Sequence, residues 1–244
     1  MGEPGLLPYC GAPPLPGGLA WNLDPLLIAA LVAGLAVSWP AAVRSGARGA
    51  ALAGWGLAAA ALLSPLCGLA VALFSARVAQ HLVLLLGAAP LLALAWPARR
   101  VGTGTLAGAA AGFAVLLWLW HLPGPYALTF RSDAAWWAMH ATLLGSAALL
   151  WRGALSPGAR ADAALLAGLA TAAQMGALGA FLTFAPRPLF VPHALSTLPW
   201  GLTPLEDQQF GGLLMWVPGG VLFAGLALLA LSRALRPVPD RRAA

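Results

Sequence analysis

Cut at its clusters of proline, glycine and arginine, the chain falls into seven apolar stretches, at about 24–43, 49–66, 76–98, 104–122, 134–152, 161–184 and 208–234. A bilayer span takes about 20 residues. The pattern therefore predicts an all-α fold, a polytopic integral membrane bundle of about seven transmembrane helices. The second stretch is the shortest, and PLCGLAVALFS after it reads as a re-entrant or interfacial turn as readily as a plain loop. Residues 1–23 form a segment ahead of the first span, 24–234 the transmembrane domain and 235–244 a basic tail.

The arginines orient this bundle. Arg44, Arg48, Arg99, Arg100, Arg152, Arg160, Arg233, Arg236, Arg241 and Arg242 fall on the face holding the C-terminus, and only Arg77, Arg131 and Arg187 fall opposite. By the positive-inside rule this sorting predicts a cytoplasmic C-terminus and an extracytoplasmic N-terminus. Trp21, Trp120, Trp136, Trp137 and Trp200 then mark outer ends and Trp39, Trp96 and Trp151 inner ends, the arrangement of aromatic belts. MGEPGLLPYCGAPPLPGG has no basic or apolar signal region, so the first span is expected to insert uncleaved.

Composition strengthens the membrane reading: 61% of residues are hydrophobic and 8% charged, against roughly 25% charged in soluble domains. The formal charge of +6 comes from arginine alone and is scattered between apolar runs. No basic face points to nucleic acid. Glycine and alanine fill span interiors, as in GLATAAQMGALGAF, which lets helices approach closely. Cys10 and Cys67 both fall on the outer side of this topology, where a disulfide and a thiol relay are equally open.

Candidate chemistry gathers on that same side. His81 lies near the start of the third span, His121 closes the fourth, His140 lies in the fifth and His193 in the loop before the last. At about 1.5 Å per helical residue, His81 sits roughly 6 Å beyond Arg77 and His140 roughly 10 Å beyond Asp133, in the outer third of the bilayer. Met139, Met175 and Met215 come to similar depth. Imidazole with soft sulfur suits copper, especially Cu(I), although a methionine in an apolar helix is ordinarily packing. Gln80 beside His81 reads as function or as a helix-to-helix hydrogen bond. Arg187, between Pro186 and Pro188, reads as a headgroup anchor, and Asp133 as a helix cap.

There is no H-E-x-x-H, G-x-S-x-G, Walker loop or dinucleotide fingerprint, so an enzyme with its own catalytic set is not expected. The inner half of the bundle holds almost no polar side chain, which argues against a proton pump or ion-coupled transporter.

AQHLVLLLGAAPLLALAWP (79–97), LWHLPGPYALTFRSDAAWWAMHATLL (119–144), LGAFLTFAPRPLF (178–190) and LTPLEDQQFGGLLMWVPGG (202–220) together resemble the CtaG family of cytochrome c oxidase assembly factors. The resemblance implies a bacterial inner-membrane protein that helps to make haem-copper oxidase, acting as a chaperone in or near copper delivery on the outer face. Its partners are then lipid and oxidase subunits or other assembly factors. Similar proteins carry a histidine one turn before each intramembrane one, where this chain has Arg77 and Trp136. The candidate metal set is His81, His140, His121, Met215 and Asp207. The rival readings are a haem protein with His81 and His140 as axial ligands, and a copper or small-solute transporter.

In TPLEDQQFGGLLMW, Thr203, Pro204 and Glu206 take N-cap, N1 and N3, a capping box with proline at its favoured position. Asp207 is not needed for that cap. With Gly211 and Met215 it forms a stripe of four-residue spacing that is expected to face the histidine layer.

Overall fold

The computed structural model describes residues 7–96, 101–156 and 160–234 of the protein. Each predicted stretch is a helix. They are α1 (Pro25–Ser45), α2 (Arg48–Leu63), α4 with α5 (Phe74–Leu82 and Ala89–Ala95), α6 (Thr103–Trp120), α8 (Asp133–Leu155), α9 (Ala161–Thr183) and α10 (Pro204–Ala234), with the short α3 (Leu66–Ala72) and α7 (Pro123–Leu128) between them. No strand occurs among the described residues.

Among the described residues, four helices are long and apolar enough to cross a membrane: Pro25–Ser45, Phe74–Ala95, Thr103–Trp120 and Ala161–Thr183. A fifth arises if α2 and α3, bent by 47° at their junction, make one broken span. Helices α8 and α10 also have the length, at 23 and 31 residues; His140 and Arg152 lie within the first, and Glu206, Asp207, Gln208 and Gln209 open the second ahead of its apolar run. Among the described residues, length and composition thus give an all-helical membrane bundle with four candidate spans, or five with the bent pair. Of the arginines that orient it, Arg99, Arg100, Arg236, Arg241 and Arg242 lie outside the described residues, as does the tail 235–244.

Local chemistry sets the helix ends. Asp24 caps α1 by accepting from Leu26 and Leu27 N–H at 2.7 and 3.0 Å, with Pro25 at N1. Gly46, at φ 70°, closes it in the left-handed conformation that glycine adopts without strain. The Thr203–Glu206 capping box forms as predicted: Glu206 accepts from Thr203 N–H at 2.8 Å and donates its own N–H to Thr203 Oγ1 at 3.2 Å. The start of α8 differs from expectation. Its N-cap is Ser132, whose hydroxyl accepts from Ala135 N–H, and Asp133 is the first helical residue.

Packing follows the small residues. Helix α10 lies most extensively along α9, where a Cβ on Gly179 would come 2.9 Å from Gly212 O and one on Gly212 2.7 Å from Gly179 O. Only two glycines let those backbones meet. Helix α10 also packs on α4, while α8 is flanked by α5 and α6. Large apolar side chains point outward along the bundle, among them Val37, Val115, Leu166 and Phe181, as lipid contact requires.

Three tryptophans leave the predicted belts. Trp120, Trp136 and Trp151 are buried, and each indole has a partner in the protein. Trp120 Nε1 donates to Thr142 Oγ1 at 3.0 Å and Trp151 Nε1 to Leu85 O at 2.9 Å, while Trp136 stacks between two rings. Leu85 belongs to a π-helical turn, Val83–Ala88, that joins α4 to α5. A π turn disturbs the regular carbonyl ladder, and the Trp151 indole satisfies one of its carbonyls from α8.

Candidate functional site

One end of the bundle, called here the disulfide end, collects most of the buried polar side chains: Arg77, Gln80, His81, His121, Thr129, His140, His193, Thr197, Asp207 and Gln208. All four histidines meet there as the sequence suggests. His81 is in ring contact with His140, centroids 5.4 Å apart, and with His121 at 6.2 Å. Phe74 bridges His121 to His193, with its centroid 6.3 Å from each.

The hydrogen bonds define the tautomers. His121 Nδ1 lies 2.7 Å from Leu117 O and His140 Nδ1 2.9 Å from Trp136 O, each the carbonyl four residues back. A carbonyl only accepts, so both rings carry their proton on Nδ1 and leave the Nε2 lone pair free to bind. His140 Nε2 and both nitrogens of His81 are buried without a hydrogen-bond partner. That is the pairing found behind metal-binding imidazoles, where a backbone carbonyl orients the ring from the far side. As placed, no group of three or more His, Cys, Asp or Glu residues among those described is close enough to hold a metal ion.

His193 has a different task. Its Nδ1 faces Ala72 O at 3.2 Å, so Nε2 accepts from the Tyr126 hydroxyl at 2.6 Å. Ser196 Oγ donates to the same Ala72 carbonyl at 2.6 Å. Together they satisfy the C-terminal carbonyl of α3 and lock the 191–196 loop onto it.

Asp207 reaches across to another helix. One carboxylate oxygen accepts from Phe74 N–H at 2.6 Å, the other from Ser75 N–H at 3.1 Å and from the Ser75 hydroxyl. It is the N-cap that α4 lacks locally, since Leu73 offers no side-chain acceptor. The stripe continues as a seam: a Cβ on Gly211 would meet the Phe74 ring at 2.5 Å, and Met215 is buried. The stripe therefore faces α4, the helix that carries His81. Met139 and Met175 are buried in the same apolar core as Met215.

Gln80 donates to Ala61 O at 2.8 Å, a helix-to-helix bond. Gln208 accepts from Leu189 N–H at 2.6 Å and donates to Leu182 O at 3.3 Å, fixing the chain after α9. Arg187 is exposed between its prolines.

Arg77 overturns its sequence reading. Counted as an arginine of the loop face, it is buried in α4. Its Nε donates to Ala70 O at 3.0 Å and one terminal nitrogen to Thr129 Oγ1 at 2.8 Å, and the guanidinium lies 4.3 Å from the Phe130 ring centroid and 5.2 Å from that of Tyr126. Two cation–π faces and two hydrogen bonds compensate its desolvation. A charge count along the chain cannot register this, because it knows distance from a span end and not burial.

Sequence reasoning also missed Tyr9. Its ring stacks on Trp136 at 4.1 Å, and Trp136 in turn covers His140 at 4.1 Å. The adjacent Cys10 is disulfide-bonded to Cys67, with Cα atoms 5.5 Å apart, which closes the choice left open between disulfide and thiol relay. Burial and the nearby Asp24 carboxylate raise the Tyr9 phenol to about 12. A tyrosine directly before a cysteine in a proline-rich segment was the only hint available.

The disulfide end thus joins buried imidazole nitrogens without hydrogen-bond partners to a disulfide-tied N-terminal segment. His81 and His140 stand edge to face at 5.4 Å and leave no slot for a macrocycle between them. Residues 29–237 match the family model of the cytochrome c oxidase caa3 assembly factor, Caa3_CtaG. The chain belongs to that family, whose role in assembly points to non-catalytic work alongside oxidase components. No curated protein and no solved structure matches it significantly.

Proposed function

We propose that this assembly factor handles copper for the oxidase, at the outer face of a bacterial inner membrane, with His81, His121 and His140 as its nitrogen ligands and Met215 and Met139 as nearby soft sulfur. The observation that carries the reading is the orphaned set of buried imidazole nitrogens on His81 and His140. A buried polar atom without a partner costs about 1–3 kcal/mol, and a guest that accepts the lone pairs removes that cost. Cu(I) suits imidazole and thioether and tolerates few ligands. Arg77, one turn before His81, adds a fixed positive charge that favours a monovalent guest over a divalent one. Asp207, its oxygens taken, serves as the anchor of α4 and not as a ligand.

Orientation has two independent supports. The arginine sorting puts the disulfide end outside, and disulfides persist in oxidising compartments such as the periplasm. In this reading the seven long helices all span.

Deletion of the gene, complemented with wild type or with the His81→Ala/His140→Ala double variant, tests the proposal. Oxidase copper content and activity are expected to fall on deletion and to be restored by wild type alone. The purified double variant should lose Cu(I) binding. Unchanged copper content after deletion would overturn the reading.

A further inference from the structure

Residues 7–23, without a helix, cross the disulfide end as a strap. Its ties are few. Asn22 N–H donates to Leu63 O at 2.8 Å, Trp200 Nε1 donates to Pro14 O at 3.2 Å, and Cys10 is bonded to Cys67. Tyr9 lies beside the covalent tie and presses on Trp136 and, at 5.6 Å, on Trp137. A column of rings then runs inward from Tyr9 through Trp136 and His140 to His81. The strap is thus the cover over the imidazoles, and the disulfide is its latch.

The two sulfurs differ. Cys67 is completely buried, while Cys10 is half-buried beside the surface. Asn22 Nδ2 donates to Cys67 Sγ at 3.5 Å, so an amide already points at one sulfur and not the other. Exchange needs an accessible sulfur to attack and a stabilised one to leave. Cys10 supplies the first and Cys67 the second.

We propose that the Cys10–Cys67 disulfide is a thiol–disulfide exchange site for a dithiol partner of the compartment it faces, and that exchange there unlatches the strap and uncovers His140 and His81. A partner thiolate attacks Cys10 Sγ. The Cys10–Cys67 bond breaks as the mixed disulfide forms, and the electron pair goes to Cys67 Sγ, which receives the Asn22 N–H bond and then a proton. The partner's second thiol attacks the mixed disulfide, releases Cys10 as a thiol and leaves as the partner's own disulfide. Two electrons and two protons have passed from the dithiol to the cysteine pair. With the covalent tie gone, Tyr9 leaves Trp136 and the indole is free to swing from His140. The copper reading gives this uncovering its purpose, but the chemistry stands apart from it.

The test uses the full chain in lipid nanodiscs without copper. Brief exposure to reduced glutathione, acid quench and peptide mapping should place the mixed disulfide on Cys10 at least about tenfold over Cys67. Asn22→Ala should slow reduction by dithiothreitol about three- to tenfold, and the isosteric Asn22→Asp, which sets a carboxylate against the thiolate, should slow it at least as much. Diethylpyrocarbonate should modify His140 and His81 about tenfold faster after reduction, and Tyr9→Ala should reach that rate with the disulfide intact. A disulfide that yields only after unfolding, glutathione on Cys67, or histidine labelling indifferent to reduction would overturn the proposal and leave a purely structural disulfide. Because no copper enters, failure to bind Cu(I) would count against the proposed function and leave this result untouched.

Discussion

The two ends of the bundle are built on different principles. At the disulfide end, ionic and polar side chains are buried and joined across helices: Asp207 to Phe74 and Ser75, Arg77 to Thr129, Tyr126 to His193. Towards the other end, helices meet through small residues, and the α6–α9 groove is lined by Ala107, Ala110, Ala114, Ala163, Ala167 and Ala170 around a cavity of about 430 Å³. The charged pair found there, Arg160 with Asp162 at 2.7 Å, is exposed and local. The first end gains specificity from directional bonds, each with one correct partner. The second gains adhesion from alanine-lined helix faces, contacts that fix no single partner. The proposed site lies at the end where geometry is prescribed.

The largest effect should come from Asp207→Ala, which strips three buried donors of their acceptor and uncaps α4. Roughly 3–5 kcal/mol of stability should be lost, seen as a fall in the thermal unfolding temperature of the solubilised protein. If Asp207→Ala unfolds like wild type, the disulfide end is no more prescribed than the other. Next comes Gly212→Ala, which drives a methyl into the Gly179 carbonyl and should cost roughly 1–3 kcal/mol. Gly176→Ala on α9, with open space around it, should be neutral or slightly stabilising. Equal losses at the two glycines would refute the close approach of α9 and α10.

Glu206→Ala removes a solvent-exposed capping box beside Asp207. Its fall in unfolding temperature should be several-fold smaller than that of its neighbour, because water replaces what the carboxylate supplied. Smallest of all, Asp162→Asn should leave the unfolding temperature unchanged, since an exposed ion pair adds little. A substantial drop there would mean that the charged end is organised after all.

Much of this organisation was legible in the sequence. The seven apolar stretches became helices with ends within a few residues, and the Thr203-to-Glu206 spacing specified a cap that formed. That four histidines would share one end also followed from span order. The indole of Trp136 did not: from its place at a helix end it reads as a belt residue, and only the rotation of α8 turns it inward against His140. Arg77 was misread for the same reason. The π turn after His81 leaves no mark in VLLLGA, and the donor that meets its Leu85 carbonyl, the Trp151 indole, comes from another helix 66 residues on.

What the sequence alone determined is the membrane-helical class, the helix limits and the polar residues concentrated towards one end. These depend on hydropathy over about 20 residues and on capping within one turn, both local quantities. The tertiary structure decided which polar group meets which. Asp207 caps Phe74 from 133 residues away and Cys10 finds Cys67 across 57. Such meetings depend on how each helix is rotated and how deeply it packs. Those are set jointly by all its neighbours and are written in no single stretch of chain.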